Sequence, residues 1–299
     1  MYHVPVMLEE CMEGLDLQPG KVVVDVTFGG GGHSKEILKR LPEGKLLAFD
    51  QDQDAAKNIE GTDGSRFKLI EGNFRYIKKY LKLYGYAQVD SILADLGISS
   101  HQIDKPERGF STRWDAPLDM RMDNKADFSA RDLVNTYREP DLIRVLSEFG
   151  EVRNARTLAA SIMRERVKKS IDTTAELVNV LEKHAPKGKE FRYYAQVFQA
   201  LRIEVNEEIE ALKEMLEGAN DVLKPGGRLV VMSYHSLEDR LVKNFIRAGN
   251  FKGDVEKDMY GNPIKPLEAV NRKPIIPTNE EIAQNPRARS AKLRVAKKL

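Results

Sequence analysis

VVVDVTFGGGGHS, residues Val22 to Ser34, reads as a buried parallel strand that runs into four glycines and then into a helical pattern, SKEILKRL. Glycines let a backbone approach a ligand closely, and the first turn of the following helix leaves N–H groups unpaired. This order predicts a ligand at the carboxyl end of the strand. A dinucleotide fingerprint would need a small third residue opening the helix, where Ser34 or Lys35 stands instead. No Gly-Lys pair here is followed by Ser or Thr, so a phosphate loop is excluded too. What remains is the turn that holds S-adenosylmethionine (SAM), bracketed by one acid before the glycines and another at the end of the next strand. Asp25 and Asp50, the last residue of KLLAFD, fill those places. Asp50 falls about 20 residues beyond the turn, where a carboxylate accepts from ribose hydroxyls. A single Asp at a strand end is as often a turn cap.

Outward from this stretch the alternation continues. RFKLIEGN and VDSILADLG read as the third and fourth strands, separated by FRYIKKYLKLY as a helix. Strands alternating with helices predict a parallel sheet covered on both faces, with Asp25, Asp50, Gly72-Asn73 and Asp95 along one crevice. Phe74 either stacks on an adenine or packs as the first apolar residue of its helix. Residues 97 to 124 lose all periodicity while keeping Phe110 and Trp114, which predicts an ordered functional loop. Four amphipathic helices are then expected between about Ser129 and Lys187, and their basic residues Arg153, Arg156, Arg164, Arg166, Lys168 and Lys169 read first as solvated charge and second as an RNA-facing surface. QVFQALRIEVNEEIEALKEMLEGANDVL reads as one long helix, followed by RLVVMSYHS as a strand. IIP and KLRVAKKL are candidates for the last strands.

Composition narrows the classes. The 299 residues are 41% hydrophobic, which supports a proper core, and the net charge of +2 says little about partners. A mean hydropathy of -0.48 and no long apolar run argue against a membrane span, and MYHVPVMLEEC has no leader pattern, so a cytosolic protein is expected. Cys11 is the only cysteine, which leaves no intramolecular disulfide and no cysteine-based zinc site. The run NPRARSAKLRVAKKL is basic throughout, either a solvated tail or a phosphate-contacting surface, and its alternation favours a strand. His33, His101 and His235 each follow an expected strand end, but no chelating spacing joins them and no metal is expected. Methyl transfer from SAM needs alignment and electrostatics more than acid–base chemistry. Asp95, or the hydroxyls of Ser99 and Ser100 in DLGISS, could accept from an exocyclic amine, unless the serines simply cap a helix.

DVTFGGGGHS, LLAFDQD, DLGISSHQID, RGFS with PLDMRMD, FQALRIEVNEE, PGGRLVVMSYHSLEDR and NPRARSAKLR occur in order, in a register running from His3 to Arg294. Together they resemble the ribosomal RNA small subunit methyltransferase H family of bacteria. The resemblance implies an α/β class I SAM-dependent methyltransferase domain, Rossmann-like with a mostly parallel twisted sheet, over 1–112 and 200–299. It implies an inserted all-helical substrate-recognition domain over 113–199. It further implies methylation of N4 of a cytidine in the decoding region of 16S rRNA within the small ribosomal subunit, with SAM held by Gly31, Gly32, His33, Asp50, Phe74, Asp95 and Gln102. The catalytic residues expected are Asp95 and Ser99, with Phe110, Trp114 or Tyr234 stacking on the base. Tyr234 stands where the family usually has Phe, and RYYAQVFQALRI departs from its usual pattern near Gln196. A homodimer is left open. So are a methyltransferase acting on protein or a small molecule and an RNA-binding protein without catalysis.

Overall fold

The structure is a computed structural model that describes residues 5–59 and 64–299; His3, where the resemblance begins, lies outside the described residues. The chain divides into two units, one formed by residues 1–97 and 209–299, the other by 98–208.

The first unit is built on a seven-stranded sheet, with β1 Val22–Asp25, β2 Lys45–Asp50, β3 Phe67–Glu71, β4 Val89–Asp95, β5 Leu223–Ser233, β6 Leu267–Ala269 and β7 Lys292–Lys298. Their order is β3-β2-β1-β4-β5-β7-β6, parallel from β3 to β5 and antiparallel through β7 and β6. This is the class I methyltransferase sheet. Strand alternation sorts the side chains into two layers. Val24, Ile92, Ala94, Leu229 and Val231 pack with Leu81, Met215 and Phe245 on one face. Val23, Leu93, Val230 and Met232 pack with Cys11, Leu15 and Ile37 on the other. A period of two with both faces apolar requires helices on both sides, and each fully buried aliphatic side chain contributes about 1.5–3 kcal/mol. The chain leaves β1 toward β2 and β3, then returns to lay β4 on β1's other side. The sheet therefore switches direction between β1 and β4, where such folds bind ligands.

The basic run ending the chain is not a free tail. It is β7, hydrogen-bonded between β5 and β6. Arg294 donates to Asp239 at 2.7 Å and Lys298 to Asn220 at 2.6 Å, so two of its cations serve the fold. IIP supplies only a single bridge, Ile275 to Leu293, and the edge strand is Leu267–Ala269 instead.

The second unit is helical and has a core of its own, including Leu133, Leu146, Leu158, Leu177 and Leu201. Its limits correct the expected 113–199. Phe110, Leu118, Met120 and Met122 from the irregular loop are buried in this core, as are Tyr193, Val197 and Leu201 from the helix Glu190–Val205. The single long helix is also corrected: it breaks into Glu190–Val205 and Glu208–Val222. Asn206 ends the first piece, accepting from the Met122 N–H at 2.7 Å and donating to the Met120 carbonyl at 2.8 Å, and Glu207 follows with φ 49°. A side chain that binds a neighbouring loop so firmly outweighs the helical preference of the residues around it. Much of the basic helical surface is internally paired. Arg166 donates to the Val134 and Tyr137 carbonyls, Lys168 pairs with Glu165 and Lys169 with Glu176. Among the described residues, no helix is long and apolar enough to cross a membrane.

Candidate active site

At the carboxyl ends of β1, β2 and β4, three carboxylates take three different parts. Asp25 is buried, accepting from the Thr27 N–H at 3.0 Å and from the Ser34 hydroxyl at 2.6 Å. It therefore staples the start and finish of the glycine turn, which corrects its reading as one of two acids bracketing a ligand. Asp50 accepts from the Gly29 and Asp52 N–H groups, both at 2.8 Å. Burial pushes its carboxyl up to about 6 against the pull of those two donors, with the neighbouring Asp52 and Asp25 charges adding to the rise.

The glycine turn divides its labour by residue. Gly31 has φ 75°, and a Cβ there would meet the Phe28 ring at 3.0 Å. A Cβ on Gly32 would meet Pro5 at 2.4 Å. The fold itself demands both glycines. Gly30 is different: it is exposed, its φ is not positive, and a Cβ there meets nothing within 4 Å. Nothing in the polypeptide forbids a side chain at Gly30, which borders open space beside the turn. Phe74 is half-buried, packed against the sheet's core, while its neighbour Asn73 caps the turn and donates to Gln51 at 2.7 Å.

Asp95 ends β4 at the switch point. Its Oδ1 accepts from the Tyr234 hydroxyl at 2.8 Å, and its Oδ2 lies 3.7 Å from His33 Nδ1. The His33 Nε2 lies 3.0 Å from the Val6 carbonyl, which can only accept, so Nε2 carries the proton. Nδ1 is thus the ring nitrogen that faces Asp95. Burial raises the Asp95 carboxyl; His33 and the Tyr234 hydroxyl draw it back down, and Asp25 and Glu238 raise it further. Burial likewise drives the Tyr234 phenol far above its ordinary range. The hydroxyl is therefore a donor at any working pH.

Of the residues singled out from sequence, the sheet unit brings together Gly31, Gly32, His33, Asp50 and Asp95 around the ends of β1, β2 and β4, with Phe74 just past β3. Ser99 and Gln102 stand in the helical unit, where they form a reciprocal capping box on the helix Ser100–Asp104. The Ser99 oxygen accepts from the Gln102 N–H at 3.2 Å, and Gln102 Oε1 accepts from the Ser99 N–H at 3.1 Å. The Ser100 side chain lies outside what is described. The three histidines occupy different places in the fold. His33 faces Asp95, His101 lies exposed in the helical unit, and His235 caps the helix Ser236–Ala248 beside Glu238. Phe110 is buried in the helical core and has no face to offer a base. Trp114, 39% exposed, and the half-buried Tyr234 both have one. Sequence reasoning missed the tie between Tyr234 and Asp95. The signal was present, since SYHS leaves β5 next to the strand that ends at Asp95.

The MraW methylase family model matches residues 1–299. A protein of Cytophaga hutchinsonii named ribosomal RNA small subunit methyltransferase H is 61% identical over 298 residues, covering 100% of both chains. One of the same name from Flavobacterium johnsoniae is 55% identical over 299 residues, covering 100% of this chain and 98% of its own. Among solved structures, an rRNA methylase from Streptococcus thermophilus is 14% identical with a TM-score of 0.44, covering 100% of this chain and 99% of that one.

Proposed function

We propose, from the premise that this chain belongs to the MraW methylase family, that it moves a methyl group from SAM to N4 of a cytidine in 16S rRNA, acting in the cytoplasm on the decoding region of the small ribosomal subunit. SAM supplies an electrophilic methyl carbon on a sulfonium. The residues fit that cofactor: the open position at Gly30 admits a ligand where no Cβ competes, and Asp50 offers a carboxylate for ribose hydroxyls. Gly31, Gly32, His33, Asp50, Phe74, Asp95 and Gln102 are the residues assigned to hold it.

The observation that carries the reading is the Asp95 carboxylate, held from one side by a phenol and flanked on the other by an imidazole. The N4 amine of cytosine is a poor nucleophile because its lone pair is drawn into the ring. A carboxylate accepting from one N–H localises that pair, and pre-aimed acceptors in a dry site are worth more than in water. Tyr234 keeps Asp95 in one orientation. His33 Nδ1, 3.7 Å away, gives the displaced proton a second place to reside. Ser99, whose oxygen keeps a lone pair beyond its capping bond, is kept as a second proposed catalytic residue. The base must be splayed from its strand to reach such a site, and Tyr234 or Trp114 has an open face on which it can stack.

Asp95→Ala and Ser99→Ala test this directly. Labelled methyl incorporation into small-subunit rRNA is expected to disappear in each, measured at SAM concentrations that calorimetry shows to saturate the variant. Turnover that persists in either variant removes that residue from the mechanism. Incorporation into protein or a small metabolite in place of RNA would overturn the substrate assignment.

A further inference from the structure

We propose that a cavity walled by Tyr234, Ile276, Pro277, Arg289, Ser290 and Lys292 binds one phosphate-bearing nucleotide of single-stranded RNA, next to the nucleotide that is methylated. This rests on the RNA reading above and adds the surface that holds the strand. The cavity encloses about 290 Å³, at the small end of ligand sites, which span roughly 300–1,000 Å³. That is room for one nucleotide unit and no more.

The chemistry of the walls selects the occupant. Among the described residues no carboxylate lines the cavity, whereas Arg289 and Lys292 both do. Arg289 is exposed and has no ionic partner among the described residues. Lys292 is only loosely held, 3.5 Å from an Asp239 carboxylate that Arg294 already engages at 2.7 Å. A guanidinium with no ionic partner among the described residues, lining a cavity with the hydroxyl of Ser290, suits a phosphate, which it can grip with two parallel hydrogen bonds. The lining also has an apolar part: Pro277 is buried, and Ile276 is left 65% exposed, a large aliphatic surface that a sugar or base would cover. Cations and hydrocarbon in one lining match a nucleotide better than a free inorganic anion.

Tyr234 fixes where this occupant stands relative to the chemistry. Its side chain lines the cavity while its hydroxyl bonds Asp95 at 2.8 Å. A nucleotide seated here is separated from the Asp95 carboxylate by a single ring. A splayed target base needs its flanking phosphates anchored, since the strand otherwise restacks. Two of the other basic residues at this end, Arg294 and Lys298, are bonded within the sheet unit.

The test uses the full chain and a small-subunit rRNA fragment, with Arg289→Ala, Arg289→Glu and Arg289→Lys. Losing one phosphate contact is expected to flatten the plot of log affinity against log salt by about 0.7 for a single strand. The Ala and Glu variants should show that change with a raised KM for RNA, while SAM affinity by calorimetry stays at the wild-type value and the Lys variant keeps most of the slope. A wild-type slope and KM in both Ala and Glu variants would overturn the site even though the native chain methylates RNA. Arg289-dependent binding of free cytidine monophosphate, with RNA binding unaffected, would overturn it as well. A native chain that neither binds nor methylates RNA removes the functional reading and this site with it.

Discussion

Gly30→Ala separates what the fold needs from what the cofactor needs. Position 30 has no neighbour within 4 Å of a built Cβ and no positive φ, so the new methyl strains nothing in the free protein. Removing a glycine from the unfolded ensemble at such a site stabilises by about 0.4–1 kcal/mol, and Tm is expected to hold or rise slightly. The bound state differs, because SAM is proposed to rest on this turn and the methyl would project into the open space beside it. Overpacking a fitted contact costs about 1–3 kcal/mol, which corresponds to an affinity loss of roughly 5- to 150-fold. Gly31→Ala is the contrast: at φ 75°, with the Phe28 ring 3.0 Å away, it costs stability by about 1–2 kcal/mol before any ligand is added. Thermal denaturation and calorimetric titration with SAM read the two effects independently. A Gly30→Ala protein that binds SAM as tightly as the wild type refutes the placement of the cofactor on this turn.

Two further outcomes follow from the carboxylates. SAM affinity should fall as pH drops below about 6, since Asp50 titrates near there when free and ribose hydroxyls donate to its ionised form; above that range affinity is flat, and Asp50→Ala, weaker throughout, loses the dependence in a calorimetric pH series. Tyr234→Phe removes the 2.8 Å donor that favours ionised Asp95, so the acid limb of the kcat profile at saturating SAM should move upward by about one to two pH units, as expected for a hydrogen bond to a charged group; an unmoved limb leaves Tyr234 with packing alone.

The parallel strands were legible because each is a short apolar run that ends in a polar residue, and β1, β2 and β4 all finish on aspartate. The glycine turn and Asp50 were legible for the same local reason. What sequence could not supply was the choice among partners. Asp25 and Asp50 look alike in the chain, yet one closes on Ser34 and Thr27 while the other takes the Gly29 and Asp52 amides. Ser99 looks like a catalytic hydroxyl and also caps a helix. The unit boundary at Ile98 was hidden because Leu118, Met120 and Met122 carry no periodicity; only the packed core shows that they belong with the helices. The break at Asn206 depends on a loop more than eighty residues earlier, which no local window contains.

The order of the strands has a kinetic consequence. β4 ends at Asp95 and its parallel neighbour β5 begins at Leu223, so the two central strands cannot meet until the chain between them has been gathered in. For an unstructured loop of that length, closure costs on the order of 4 kcal/mol in entropy, ahead of any reward from pairing. The intervening residues pack around a core of their own, Leu133, Leu158 and Leu201 among it, and local packing of that kind shortens the loop that remains to be closed. The insertion then acts as a folding scaffold for the sheet it interrupts, and damage to its interior should surface first as slow maturation of the catalytic half.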